Sequence, residues 1–392
     1  MRSSVSMSFM FLVSSLAVLG QFATSIYLPS LPAISQSLRT SLDNVQFTLT
    51  VFLLAYAPLQ LIFGPLSDRF GRKPPLLFGL GIFLIGTVVC WFTPTIQVLI
   101  MGRILQAVGA SAAVVICRAM IRDTYNGTSL TTAMAWYSVI FSLAPGIAPI
   151  IGGLLQQSLG WRSTFGATLV YGSLVTALAV FVVKESNLQK RTQTSWTEVL
   201  KLYFPVFRSR KFLIYTLCSA LTMGCIYAYF AGLPDMYITR MGISPAAFGF
   251  FPLVTVTGYI ISGIVTQRSV NRFAAKQLAL IGFVISFVGC VFILAVPSLH
   301  ILNPVTMTSA IFVFVCGSGV MFAVAIAEAV RDFPHNAGSA SAMLGFLQML
   351  GAALGSFLVS RLAHLGVLAF PVCMFGLGLL SLVVFSAFYR KL

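Results

Sequence analysis

The sequence predicts an all-α membrane protein of twelve transmembrane helices arranged as two halves of six. Three observations predict it: a surface too apolar for water, twelve apolar runs of helical length, and one long basic stretch dividing them equally. Of 392 residues 58% are hydrophobic and 8% are charged, and the mean hydropathy is +0.97. Soluble chains carry about 25% charged residues because a folded surface must be wetted. The remaining surface of this chain must face lipid.

A spanning helix needs about 20 apolar residues. Runs bounded by charges or by Pro and Gly cover 6–28, 45–66, 74–93, 96–119, 130–155, 161–183, 212–233, 245–266, 275–296, 304–329, 338–359 and 365–389. The first follows Arg2 and leads through Tyr27-Leu-Pro-Ser-Leu-Pro32 into the next span, with no small-residue cleavage site, so it is a span and not a signal peptide. The second runs from Asp43 to Asp68, the third opens after Lys73, and the fourth closes at Arg122-Asp123. The fifth and sixth meet near Gly160-Trp161-Arg162, and the sixth ends at Lys184. The polar stretch 184–211 then holds seven basic and two acidic residues. It divides the chain into a six-helix bundle at 1–183, a central loop at 184–211, and a second bundle at 212–392, the arithmetic of a duplicated bundle.

The net charge of +16 follows the topology. With both termini in the cytoplasm, nineteen of the 24 cations lie on that side, against Arg39, Arg162, Arg240 and Arg361 outside and Arg103 within a span. A nucleic-acid partner is excluded on the same ground, since the charges are scattered between apolar runs and form no basic face. The bilayer is an expected partner, and a monomer with no cofactor and no metal site is expected.

The halves echo each other in residues. Leu31-Pro32 precedes Asp43 at the second span as Leu233-Pro234 precedes Ser244-Pro245 at the eighth, with Asp43 and Ser244 expected as N-caps. Gly64-Pro-Leu-Ser-Asp68-Arg69 is answered by Gly263-Ile-Val-Thr-Gln267-Arg268. A repeat of this kind places a cavity between the halves, opening alternately to either side.

The 2–3 loop, Gly64-Pro-Leu-Ser-Asp68-Arg69-Phe-Gly71-Arg72-Lys73, is the most informative stretch. An anion at a helix C-terminus is disfavoured by up to about 1 kcal/mol, so Asp68 needs a partner, which Arg72 can supply. This string resembles the G-x-L-x-D-R-x-G-R-K/R signature of the major facilitator superfamily, which implies that superfamily's fold. The resemblance further implies a gate at the cytoplasmic side built from Gly64, Asp68, Arg69, Gly71 and Arg72, completed by Asp123. The alternative is a positively charged loop with no mechanical role.

The fourth span opens Arg103-Ile-Leu-Gln106-Ala-Val-Gly109, similar to the family's R-x-x-Q-G-x-G with Ala107 in place of the first Gly. An Arg two turns into a membrane costs roughly 3 kcal/mol and should face a cavity or partner. The resemblance assigns Arg103 to proton coupling, with Gln106 one turn on to orient it. The fifth span carries Ala144-Pro145-Gly146-Ile-Ala148-Pro149-Ile-Ile-Gly152-Gly153, similar to the antiporter signature ending G-P-x-x-G-G, which in the family goes with proton-driven export; a bland groove for close helix packing is the competing reading. Tyr27-Leu28-Pro29-Ser-Leu31-Pro32, the Arg118 to Tyr125 end of span four, and Asp332-Phe333-Pro334-His-Asn-Ala337-Gly338 together resemble the Bcr/CflA-type drug-resistance transporters of the bacterial inner membrane.

One departure matters. Many such proteins have an acid before the Tyr-Leu-Pro string, where this chain has Thr24-Ser25-Ile26. Of its eight acids only Asp235 and Glu328 approach span interiors, so they are the candidates to carry the coupled proton; for Glu328 an interfacial salt bridge with Arg331 is the competing reading. The candidate substrate-binding residues are Gln21, Tyr27, Arg118, Tyr137, Tyr227, Tyr229, Tyr259 and Gln348, because aromatic walls with few charges suit amphipathic drug-like molecules. The expected function is export of such molecules in exchange for protons. Transport of a specific metabolite such as a siderophore, purine or sugar is the rival, and a membrane enzyme or sensor a remote one, as no paired catalytic side chains occur in the spans.

Overall fold

The computed structural model describes residues 5–187, 203–333 and 337–389. Among these every regular element is a helix, and twelve are long and apolar enough to cross a membrane: α1 Met7–Ser37, α2 Leu42–Phe70, α3 Lys73–Trp91, α4 Ile96–Thr124, α5 Gly127–Leu159, α6 Arg162–Val182, α7 Arg210–Arg240, α8 Pro245–Ser269, α9 Ala275–Ser298, α10 Pro304–Arg331, α11 Gly338–Arg361 and α12 Ala363–Phe388. Most of the central loop, including Glu198, lies outside the described residues, as do Arg2, Pro334 and Lys391.

Several helices are longer than their apolar runs, because charged ends continue the helix into the interface. The first was expected to stop at 28; instead a 3-10 turn, Leu28–Ser30, hands on to a further helical segment, Leu31–Ser37. Pro29 and Pro32 stand at the second position of each of those two pieces, within the first turn where a missing N–H costs nothing, so they restart the helix and do not end it. Asp43 is not the N-cap of α2: Ser41 holds that position and Asp43 lies in the first turn, where its charge complements the helix dipole. Ser244 does cap, its hydroxyl accepting from the Ala247 N–H at 3.3 Å, with Pro245 just inside the helix.

Packing repeats between the halves. α1 lies against α4, α5 and α6, and α7 against α10, α11 and α12; α2–α4, α3–α4 and α3–α6 are matched by α8–α10, α9–α10 and α9–α12. In matched pairs of the two halves glycine brings backbones together: a Cβ on Gly109 of α4 would sit 2.2 Å from the Gly79 carbonyl of α3, and one on Gly289 of α9 would sit 2.3 Å from the Phe314 nitrogen of α10. Between the halves, α2 runs along α11 and α5 meets α8. The face bearing the 2–3 turn at Gly71 is called the loop face below, and the other the opposite face.

Candidate functional site

Four groups of residues hold the chemistry. The first is the 2–3 turn, where Gly71 adopts φ +94°, a left-handed backbone suited to glycine. It returns the chain so that Arg72, 7% exposed, reaches back to Asp68 four residues earlier and across to Asp123 at the end of α4. Its guanidinium donates through Nε to Asp123 Oδ2 at 2.8 Å and through Nη2 to Oδ1 at 3.3 Å, while Nη1 donates to Asp68 Oδ1 and to the Ser67 hydroxyl. Burial disfavours the cation, but the hydrogen bonds and charges of Asp123 and Asp68 outweigh it and raise the Arg72 pKa above the ordinary arginine value. The structure thus brings Asp68, Arg72 and Asp123 together. Gly64 packs near Val115 of α4, and Arg69 points to the Phe70 ring with its guanidinium 5.2 Å from the centroid.

Sequence reasoning passed over a fourth member, Glu185. Its carboxylate accepts the Arg72 and Lys73 backbone N–H groups at 2.8 and 3.1 Å, satisfying the first donors of α3, and a Cβ on Gly71 would lie 2.5 Å from its Oε2. Asn187 adds a bond to the Asp68 carbonyl at 3.0 Å. The only available signal was the position of Glu185 directly after the sixth span. Replacing Glu185 by Ala is expected to lower stability by about 1–2 kcal/mol, as loss of a charged helix cap does, read as a lower melting temperature in detergent.

The second group surrounds Arg103, which is fully buried. Nη1 donates to the Ala23 carbonyl at 3.1 Å and to Gln106 Oε1 at 2.9 Å, and Gln106 in turn donates to Thr87. The guanidinium carbon lies 4.3 Å from the Tyr27 ring centroid and 4.6 Å from that of Phe52, a cation–π sandwich. Among the described residues no carboxylate pairs with it, and its Nε and Nη2 have no partner. Tyr27 serves this sandwich and approaches Thr48, and it also lies within electrostatic range of Tyr227 of the other half.

The third group is the Pro/Gly run of α5. Gly152 faces α1, where a Cβ would fall 1.8 Å from the Ile26 carbonyl; Gly146 and Gly153 face α8, with a Cβ 2.6 Å from Val256 and 2.2 Å from the Pro245 carbonyl. Pro149 offers its carbonyl to the space beside Gly249 of α8, and Pro145 lies inside the helix with it. The run is therefore an inter-half contact surface at the opposite-face end. Gln46 donating to the Ala231 carbonyl at 3.0 Å and Thr50 to Ser356 at 2.9 Å continue that contact through α2.

The fourth group lies between the halves. Arg118 of α4 donates through Nε to the Tyr137 hydroxyl of α5 at 3.1 Å, and Tyr56 of α2 is within electrostatic range of both. Tyr227 of α7 reaches the same range of Tyr56 and donates to Gln21 Oε1 at 3.5 Å; Tyr259 of α8 lies within range of Tyr227 and Tyr229. Tyr56 was absent from the sequence-derived candidates because nothing in its local spacing marks it. Tyr229 packs on Phe230, and Gln348 bonds Ser219 of its own half at 3.3 Å.

The two candidate proton carriers lie apart from this centre. Glu328 is held by Lys211 at 2.9 Å and Arg331 at 3.0 Å near the loop face. Asp235 pairs with Arg240 at 2.8 Å in a 540 Å³ groove at the opposite face that Asp43 and His364 also line. Among the described residues no group of three His, Cys, Asp or Glu could hold a metal.

Comparison with known proteins places this geometry in a family. Residues 13–356 match the profile of the Major Facilitator Superfamily. The chain is 32% identical over 353 residues to the uncharacterized MFS-type transporter YdgK of Bacillus subtilis, covering 89% of this chain and 87% of that protein. It is 30% identical over 380 residues to a chloramphenicol resistance protein of Pseudomonas aeruginosa, covering 95% and 88%. The crystal structure of a POT family transporter in complex with thioalcohol conjugated peptide superposes with a TM-score of 0.79 over 98% of this chain and 96% of that one; at 13% identity that likeness speaks for the fold alone. The chain therefore belongs to the major facilitator superfamily, as a multi-pass membrane transporter and not an enzyme.

Proposed function

We propose that this transporter exports drug-like amphipathic molecules across the bacterial inner membrane by alternating access, in exchange for protons, as a monomer with both termini cytoplasmic. The observation that carries the reading is the aromatic and polar centre formed by Gln21, Tyr56, Arg118, Tyr137 and Tyr227, contributed by both halves. The α5–α8 contacts at Gly146, Pro149 and Gly153 close the opposite face, while at the loop face the Arg122 side chain at the end of α4 reaches Gly338 at the start of α11. With the loop face cytoplasmic, as its excess of Lys and Arg indicates, this is a conformation closed to the outside. Relatives named for resistance to chloramphenicol and bicyclomycin support drugs as the substrate class. The cluster of Asp68, Arg72, Asp123 and Glu185 ties α2, α3, α4 and the end of α6 into one unit that works the loop-face gate.

For coupling, the reading names Arg103 with Glu328 or Asp235. Purified protein in liposomes with an imposed pH gradient tests the whole reading against a panel of chloramphenicol, other drugs and metabolites. The expected outcome is chloramphenicol movement driven by the gradient and at least a tenfold loss in Glu328→Gln or Asp235→Asn. Undiminished gradient-driven movement in both variants would remove these carboxylates from coupling. Movement of metabolites alone would replace the drug reading.

A further inference from the structure

The charges of the spans are sorted by depth. Of the eight acids, Glu198 lies outside the described residues, and Asp43, Asp68, Asp123, Glu185, Asp235, Glu328 and Asp332 all sit at helix ends or beyond. Six of these seven are already engaged: Asp68 and Asp123 by Arg72, Asp235 by Arg240, Glu328 and Asp332 by Lys211, and Glu185 by backbone donors. The cations sort differently. Arg103 and Arg118 lie within α4, Arg118 six residues and so about 9 Å from its loop-face end, and neither has a carboxylate within ion-pair distance among the described residues.

The space between the halves is consequently electropositive. Arg118 stands in it half-buried, held by one hydrogen bond to Tyr137, and the surrounding Tyr56, Tyr137 and Tyr227 offer ring faces and hydroxyl donors but no negative charge. Tyr137 stacks on Phe141 at 5.8 Å between centroids, extending the aromatic wall. A guanidinium can take an oxyanion through two parallel N–H groups, and here Nε alone is used by a protein partner in the hydrogen bonds of this residue.

We propose that the central site selects aromatic molecules bearing a carboxylate, sulfonate or comparably acidic group, with the anion on Arg118 and the ring against Tyr56 and Tyr137, and that it rejects organic cations. The assignment rests on the export reading for its location, between the halves. It also fits the energetics of that reading. Outward movement of a monovalent anion is driven by an inside-negative potential, each 100 mV of which sustains about a 50-fold gradient, and exchange for a proton adds to that drive.

The test uses three probes of fixed charge and similar size: 2-naphthalenesulfonate as anion, N-methylquinolinium as cation and chloramphenicol as the neutral compound. Binding to the detergent-purified full chain is measured by equilibrium dialysis, and movement in proteoliposomes under a potassium diffusion potential. The expected result is saturable binding of the sulfonate, weakened at least tenfold in Arg118→Gln and less than threefold in Arg118→Lys, with N-methylquinolinium bound at least tenfold more weakly than the sulfonate. A thermal melt shows that each variant is folded. Tighter binding of the cation, or sulfonate affinity unchanged in Arg118→Gln, would overturn the assignment. Chloramphenicol movement without any sulfonate binding would overturn it while export stands; sulfonate binding without movement of any probe would uphold it while export fails.

Discussion

Gly152→Ala and Gly153→Ala are expected to abolish transport by different routes, although they are neighbours on one helix. In the first, the new methyl meets the Ile26 carbonyl 1.8 Å away, inside the half formed by α1–α6. The carbonyl is main chain, in the turn that joins Met7–Ser25 to Leu28–Ser30, so no side-chain rotation can make room and α1 and α5 must separate; overpacking of this kind costs about 1–3 kcal/mol or more. Reduced yield and a lower melting temperature should report it. In the second, the methyl meets the Pro245 carbonyl of α8 at 2.2 Å, across the boundary between halves. The fold should survive, with a melting temperature near that of the parent, but the contact that closes the opposite face cannot form. Spin labels on the two sides of that boundary should then show the opposite-face distance lengthened. A Gly153→Ala protein that keeps the parental distance distribution and transport rate would refute the view of this run as a closing surface.

Arg72→Ala should have the next largest effect. It strips both carboxylates of a common partner and leaves Asp68 and Asp123 facing each other at the end of two helices. Loss of one member of a buried pair costs about 3–5 kcal/mol; here the carboxylates stay partly wetted, with side-chain exposures of 40% and 22%, so about 2–3 kcal/mol is expected. Arg72→Lys should restore only part of this, because an ammonium cannot bond Asp123 through two nitrogens while holding Asp68 and Ser67. Chemical denaturation of the three proteins in one detergent gives the order parent, Lys, Ala. An Ala variant as stable as the parent would make the cluster incidental.

Much of the architecture was legible because a membrane imposes it. Apolar runs of fixed length give the spans, and the loop from Gly64 to Lys73 announces a turn in which Asp68 needs Arg72, four residues away and hence within helical reach. The meeting of Arg72 with Asp123, fifty-one residues on, was legible only through family resemblance, since spacing says nothing about which helix ends adjoin. Glu185 was missed for that reason: its partners are backbone N–H groups of another helix, which leave no trace in composition. Tyr56 was missed because an aromatic residue on an apolar helix looks the same whether it faces lipid or a partner half. Arg103 was marked by its cost and Gln106 by its spacing, yet the two ring faces and the carbonyl that also surround it could not be read from a rule that asks only for a cavity or a partner. The boundary of α1 was misjudged at Pro29 because proline ends one helix and begins another with equal ease.

The glycine contacts of α3 with α4 and of α9 with α10 have a mechanical consequence. Where backbones touch, at Gly79 with Gly109 and at Gly289 with Phe314, the main chains meet with no gap for lipid to enter. Each pair is a stiff rib, one on either flank of the molecule. Motion has to be taken up between the halves, along α2 with α11, where side chains and single hydrogen bonds separate the helices, and at α5 with α8, where the glycine contact must part as a whole. The protein is built as two ribbed shells with yielding seams, and a drug or inhibitor that glues a seam would arrest it more surely than one that grips a rib.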